Sequence, residues 1–149
     1  MENVGPAYPQ TRYISPASPP PDFTSKQERE RLSGAALKAF FNIVQRWSIR
    51  DEDARELLGG VSNGPYYQMK KSQEGRILSA DELFRISYLI GIFKALNTLH
   101  GQPVADRWVR LENSNRIFGG QTPLQYMKKG GQHAMEIVRE LLESRIQGK

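Results

Sequence analysis

Helix-start signals are the feature of this sequence that most constrains its fold. In a capping box, Ser or Thr is followed three residues later by Glu or Gln, and the pair satisfies backbone N–H groups that the first helical turn leaves unpaired. The spacing occurs at Ser25 with Glu28, at Ser79 with Glu82, and at Thr122 with Gln125. No segment shows the alternation of a strand, so the sequence predicts an all-helical (all-α) fold.

Apolar residues at helical spacing predict where the helices run. The expected segments are residues 25–47, 51–58, 62–72, 79–100, 103–111 and 132–146. Asp51 is expected to be the N-cap of the second segment, and Ser33 with Gly34 forms a weak spot in the first. The residues expected to face inward in the fifth are Val104, Trp108 and Leu111. Apolar residues surround most of the fourth segment, which predicts a central helix or a dimer seam.

The N-terminal 22 residues hold six prolines and almost no apolar periodicity. Proline fixes φ and removes a backbone donor, so such a segment does not build a helix or a sheet. A disordered or extended tail is therefore predicted over residues 1–24. A proline-rich docking peptide is the alternative, although Pro19–Pro21 lacks the flanking basic residues that would give it specificity.

Composition excludes several classes of function. The chain has no cysteine, which rules out disulfides, zinc–thiolate sites and thiol catalysis, and no apolar run approaches the length of a membrane span. Neither His100 nor His133 belongs to a metal-ligand or nucleophile motif. We therefore expect a cytoplasmic protein with no cofactor or metal, and an enzyme is the least favoured function. The net charge of +5 is compatible with an acidic partner.

Residues 54–71 have the spacing of a helix-turn-helix. Ala54 allows two helices to cross closely, glycine at the turn permits a positive φ, and Tyr66 with Met69 pins the second helix. The other face of that helix then projects outward, with amides that can pair with adenine and cations that can neutralise phosphates. The predicted DNA-binding residues are Ser62, Asn63, Gly64, Tyr67, Gln68, Lys70, Lys71 and Arg76.

Two observations favour the alternative of two core helices joined by a glycine turn. The turn carries an extra glycine, Gly59 plus Gly60, which could shift the register of the second helix. The acidic run 51–53 would repel phosphate if it faced a duplex, whereas at a helix N-terminus it has a simpler structural role. On this alternative, Lys70 and Lys71 lie on a solvated face.

A second specific pattern surrounds the turn at residues 118–124. Gly119 and Gly120 permit a backbone path that side chains forbid, Thr122 and Pro123 suit the start of a helix, and Phe118 can anchor the turn against an upstream tryptophan. Another glycine pair, Gly130–Gly131, is predicted to stop this helix before the closing one.

This pattern resembles a known domain. Trp108, an Asn at 113 or 115, the run 118–124, and a closing helix with Val138 and Leu141–Leu142 look like the toxin-binding domain of Xre/MbcA/ParS antitoxins. Residues 54–71 are similar to the Xre-like helix-turn-helix of the same family. Gln121 stands where the family usually has Arg or Lys.

The resemblance implies a chain divided into a tail (1–24), a DNA-binding helix-turn-helix bundle (25–78) and a small helical toxin-binding module (79–149). Such antitoxins bind and silence a partner toxin, commonly of the RES class that degrades NAD, and as oligomers they bind operator DNA to repress their own operon. They have no catalytic activity. We therefore expect a homodimer, or a larger assembly with the toxin, and no association with membranes.

The toxin interface is expected at the turn and at the basic end of the chain, covering the toxin's substrate cleft. The residues in question are Arg116, Gly119, Gly120, Gln121, Thr122, Arg139, Arg145 and Lys149. For the basic residues, the alternative is an ordinary solvated helix face. For the whole chain, the alternative function is an adaptor or polar-localisation protein that uses the same C-terminal module on a non-toxin partner.

Overall fold

A computed structural model describes residues 21–148. Nearly all of the predicted proline-rich tail, and Lys149, lie outside this range. The helices within it are α1 (Lys26–Arg46), α2 (Asp51–Leu57), α3 (Asn63–Lys71), α4 (Ala80–Leu99), α5 (Val104–Arg107) and α6 (Pro123–Ile146). Short 3-10 turns occupy Trp108–Arg110 and Arg116–Phe118. The described residues contain no strand, so the all-helical prediction is confirmed.

Local capping interactions start the longer helices as the sequence predicts. Complete capping boxes open α4 at Ser79 and α6 at Thr122. The box at α1 forms only in part: Ser25 accepts a hydrogen bond from the Glu28 backbone N–H at 3.2 Å, but the Glu28 carboxylate is bound by Arg31 at 2.8 Å. A nearby cation therefore displaces the return hydrogen bond to the cap.

Two local predictions are wrong. Asp51 is the first residue of α2 rather than its N-cap, which is Arg50. Val104 and Leu111 do not face inward, since they are 47% and 50% exposed. The chain changes from α-helix to 3-10 helix at Trp108, and the change from 3.6 to three residues per turn rotates the later side chains. Trp108 itself is buried, as predicted.

The core is continuous from Phe23 to Leu142, and α4 lies in its middle, packed against both α1 and α6. Burial of apolar side chains from all three helices supplies the main stabilisation of such a bundle. Leu78 is buried just before α4 begins, so the core crosses residues 78 and 79 without a break. The first and second halves of the chain are therefore stabilised by shared contacts.

Gly131 divides α6 into two helical segments. Its backbone dihedrals, φ 67° and ψ −146°, are non-helical and belong to a region that is accessible essentially only to glycine. A Cβ atom added at Gly130 would lie 2.5 Å from the Cβ of Ala134, so glycine is required there as well. The predicted helix stop at this glycine pair is confirmed, and residues 132–146 follow as the closing segment.

Ser33 does not weaken α1. Its side chain is buried, and its hydroxyl donates to the Arg29 carbonyl at 2.5 Å and accepts the backbone N–H of Leu78 at 2.8 Å. The second hydrogen bond joins α1 to the segment that leads into α4. A buried backbone N–H without a partner is costly, so this hydroxyl has a structural role.

Replacing Ser33 by alanine should lower the free energy of unfolding by about 1–3 kcal/mol, because the Leu78 N–H loses its acceptor. Urea denaturation followed by circular dichroism measures the change. Thr98→Ala is the matched control, since Thr98 also donates to a helix carbonyl but is exposed. Equal effects of the two substitutions would contradict the assigned role of Ser33.

Candidate nucleic-acid and protein interfaces

Residues of α2, the glycine turn and α3 form the helix-turn-helix that the spacing predicts. Gly59 and Gly60 have φ values of 105° and 88°, a conformation that residues with a side chain rarely adopt. Ala54 is buried, and the buried Tyr66 and Met69 hold α3 against the core. The opposite face of α3 is therefore left to solvent.

All eight residues predicted to bind DNA are exposed, namely Ser62, Asn63, Gly64, Tyr67, Gln68, Lys70, Lys71 and Arg76. Ser62 is the N-cap of α3, yet its hydroxyl makes no cap hydrogen bond and is free for another partner. Tyr67 is 48% exposed. The structure thus brings seven of these residues together on α3 or at its cap, with Lys71 as the last residue of the helix, and places Arg76 in the loop after it.

The Asp51 carboxylate ties α2 to α3. It accepts hydrogen bonds from the Tyr66 hydroxyl at 2.7 Å, the Tyr67 hydroxyl at 3.2 Å and the Lys70 ammonium at 2.9 Å. Two predicted DNA-binding side chains are consequently held toward α2. Lys70 is already paired with a carboxylate, which makes it a weaker phosphate ligand than the sequence alone suggests.

Every carboxylate of the acidic run at the start of α2 is paired with a cation. Besides Asp51 with Lys70, Glu52 pairs with Arg50 at 2.9 Å, and Asp53 pairs with Lys128 of α6 at 2.6 Å. The repulsion of phosphate expected from three adjacent acids is therefore largely cancelled within the protein.

Hydrogen bonding and burial fix the protonation states of this network. The hydrogen bond from Lys70 lowers the pKa of the Asp51 carboxyl, and burial raises the pKa of the Tyr66 hydroxyl. The hydrogen bond to Asp53 raises the pKa of the Lys128 ammonium. At neutral pH, the Asp51 carboxylate is therefore ionised and accepts from the neutral Tyr66 hydroxyl. The Lys128 ammonium is charged and donates to Asp53.

The C-terminal turn is built around Phe118. Its buried ring makes edge contacts with Trp108, at 6.0 Å between centroids, and with Tyr126, at 5.3 Å. Gly119 and Gly120 follow with φ values of 57° and 85° and are exposed. The predicted anchoring of the turn on Trp108 is confirmed, and the glycines present bare backbone to solvent.

The residues predicted to bind a toxin fall into different environments. Arg116 and Arg145 are exposed with the turn glycines, whereas Gln121 and Thr122 are half-buried and Thr122 is occupied by its capping box. Arg139 is half-buried and lies over the ring of Tyr88 at 4.9 Å.

Arg139 packs closely against α4 because Gly91 has no side chain. A Cβ atom added at Gly91 would lie 2.5 Å from the Arg139 Cδ atom. Close approach of α6 to α4 therefore depends on glycine at this position. The stem of Arg139 packs against the neighbouring helix, which favours a role in positioning α6 over one in direct contact.

Sequence reasoning missed the residues that join the two halves of the chain. Lys128 reaches Asp53 across 75 positions, and Arg85 donates both to Asp81 at 2.9 Å and to the Leu57 carbonyl at 3.3 Å. Only the Arg85–Asp81 pair has a local signal, because the two residues are four apart on one helix. Nothing in the sequence pattern indicates the other partners.

Other site classes find no support in residues 21–148. No cluster of three His, Cys, Asp or Glu residues in this range is placed to hold a metal ion. Among the helices that the structure describes, none combines the length and the apolar character needed to cross a membrane.

Residues 26–91 match the family model described as the antitoxin Xre-like helix-turn-helix domain. Residues 26–91 therefore form an Xre-like helix-turn-helix domain of the antitoxin type. An uncharacterized protein of Sinorhizobium fredii (strain NBRC 101917 / NGR234), y4oB, is 34% identical over 115 residues, which cover 76% of this chain and 86% of the relative. No solved structure matches the chain. The family match covers the helix-turn-helix and continues into α4, and it supports DNA binding by this chain.

Asp51→Asn should change the pH dependence of stability. The pKa of Asp51 is lower in the folded state, so its ionised form stabilises the fold above about pH 4 and this contribution is lost as the pH falls through the folded-state pKa. The difference in unfolding free energy between wild type and Asp51→Asn should therefore shrink below pH 4. Urea titrations between pH 7 and pH 3 measure it.

Glu52→Gln is the matched control, because its carboxylate is largely exposed. It should remain close to wild type throughout the titration. A difference between wild type and Asp51→Asn that stays constant from pH 7 to pH 3 would show that the carboxylate charge is not what stabilises the α2–α3 contact.

Proposed function

We propose that this chain is an antitoxin that inserts α3 into the major groove of its operator, represses its own operon, and neutralises a cognate RES-type toxin through its C-terminal module. The main support for the proposal is the exposed polar face of α3. The opposite face of this helix is buried through Tyr66 and Met69. The toxin class rests on the family resemblance around residues 108–124. The antitoxin itself has no catalytic role in this scheme.

The chemistry of the α3 face supports base recognition. Asn63 and Gln68 are exposed amides, the side chains that pair bidentately with adenine. Among residues 21–148, neither Lys71 nor Arg76 takes part in an ion pair, so both cations are available to phosphates. Gly64 adds no side chain that would keep the backbone from a base edge.

A homodimer would present two copies of α3 to two half-sites. An apolar groove of about 250 Å³ runs between α1 and α4, with Leu32, Leu83 and Ile90 among its lining residues. Beside it, Phe84 is 38% exposed and its ring contacts that of Phe23 at 4.8 Å. This apolar face supports α4 as the dimer seam in the proposed assembly.

Replacing Gln68 and Lys71 together by alanine should weaken operator binding at least tenfold, because a bidentate base contact is worth about 1–3 kcal/mol and a phosphate contact adds to it. Gel shifts with the DNA upstream of the gene measure the change, and toxin neutralisation should persist. Lys38→Ala, at an exposed position of α1, is the control. A wild-type gel shift that is absent or independent of salt would contradict DNA binding.

Basic side chains near the turn and at the end of α6 support the toxin interface. Arg116 and Arg145 are exposed, and positive groups suit a cleft that handles an acidic dinucleotide. Deleting the closing segment of α6 is a poor test, since Met135, Val138 and Leu142 belong to the core. Charge reversal on the surface preserves the fold and tests the contacts alone.

Arg116→Glu combined with Arg145→Glu should reduce toxin affinity by about tenfold or more, through like-charge contacts at the interface. Growth on co-expression with a RES-type toxin and co-purification of the two proteins measure the effect. Lys38→Glu is the charge-matched control. Neutralisation equal to the control would remove these residues from the interface, and failure of wild type to bind the toxin would favour the adaptor function.

A further inference from the structure

The glycine turn between α2 and α3 and the glycine kink of α6 meet at one cavity. The cavity has a volume of about 410 Å³ and lies where the turn between α2 and α3 faces the kink of α6. Its lining residues are Glu56, Gly59, Gly60, Arg85, Lys128, Lys129, Gly130 and Gly131. We call it the basic cavity, because three cations and one acid line it. None of the residues predicted to bind DNA or a toxin lines it.

Arg85 is held in place beside both turns. Its Nε atom donates to Asp81 and its Nη1 atom to the Leu57 carbonyl, so two of its three nitrogens are anchored. A Cβ atom added at Gly131 would lie 3.4 Å from the third nitrogen, Nη2, and one added at Gly59 would lie 3.4 Å from Nε. The glycines thus keep both sides of the guanidinium clear, and Nη2 has no hydrogen-bond partner among the described residues.

The two lysines that line the basic cavity differ in whether they are already paired with a carboxylate. Lys128 is engaged by Asp53 at 2.6 Å and approached by Glu56 at 3.4 Å. Lys129 is exposed and takes part in no ion pair among residues 21–148. Glu56 is itself 55% exposed on its side chain, so it can rotate away when another anion enters. The cavity therefore offers the Nη2 atom of Arg85 and the ammonium of Lys129.

The α6 kink adds backbone donors. A helical segment that restarts after a break has N–H groups in its first turn without helical acceptors, and such groups favour anions. Here the restart follows Gly131, directly beside Arg85. A fixed guanidinium, a mobile ammonium and glycine backbone at one cavity together form the donor set that binds phosphate oxygens.

We propose that the basic cavity binds a phosphate group, with Arg85 and Lys129 as its principal ligands and Glu56 as the internal competitor. The phosphate is a phosphodiester of the operator backbone, because Gly60 stands two residues before the N-cap of α3 and phosphate contacts flank a recognition helix. This assignment rests on the DNA binding proposed above. Free inorganic phosphate shares the chemistry and is distinguished by the test.

The test follows backbone amide signals of the ¹⁵N-labelled full chain by NMR. Operator DNA should shift the amides of Gly59, Gly60, Gly130 and Gly131 together with those of α3, and millimolar inorganic phosphate should shift the same four glycines. Shifts with inorganic phosphate alone support a phosphate site filled from free phosphate and contradict the DNA source. No glycine shift with either probe overturns the site.

Surface substitutions give an independent readout. Lys129→Ala should weaken operator binding about fivefold and lower the slope of log K against log salt concentration by about one, whereas Glu56→Gln should tighten binding about threefold. Lys94→Ala is the matched control, nine residues and about 13 Å along α4 from Arg85. The three replaced side chains are exposed, so the fold is retained.

The failures of the two proposals are distinguishable. If wild type binds DNA but Lys129→Ala behaves like Lys94→Ala, the cavity assignment is wrong and the operator function stands. If wild type binds no DNA while inorganic phosphate still shifts the four glycines, the operator function is wrong and the cavity is a site for free phosphate.

Discussion

The ion pair between Asp53 and Lys128 is the contact on which the arrangement of both interfaces depends. Asp53 is only 7% exposed, and a buried carboxylate is stable only when a cation and hydrogen bonds replace the lost water. Lys128 supplies that cation from the first segment of α6, at 2.6 Å. A helix of the helix-turn-helix is therefore stabilised by the C-terminal half of the chain, and this ion pair joins the two predicted modules.

The features that could be predicted from the sequence are those decided by residues a few positions apart. The capping box at Thr122, the positive φ at Gly59 and the helix break at Gly131 each follow from local backbone chemistry. The exposed face of α3 follows from local periodicity. The inward position at Leu111 failed because a 3-10 turn replaced the expected α-helix before it, and Val104 failed because it lies exposed as the first residue of α5.

Long-range partners could not be predicted because no local rule selects them. The acidic run 51–53 would repel phosphate only if it faced a duplex, and the partner of Asp51, Lys70, lies 19 positions away on the helix predicted to bind DNA. Arg139 was expected to reach a toxin, but the space left by Gly91 lets it lie over the ring of Tyr88 on α4. In both cases the sequence identifies the type of residue, but only its tertiary contact decides its role.

A chain of hydrogen bonds connects the α6 kink to the helix-turn-helix. Gln132 donates to Asp81 at 2.9 Å, Asp81 accepts from Arg85, and Arg85 donates to the last carbonyl of α2. Any change that rebuilds α6 therefore disturbs the turn before α3 as well. Loss of DNA binding after such a change is therefore not evidence that α6 contacts DNA. The proposed DNA and toxin interfaces can be separated only by substitutions at exposed positions outside this chain of contacts.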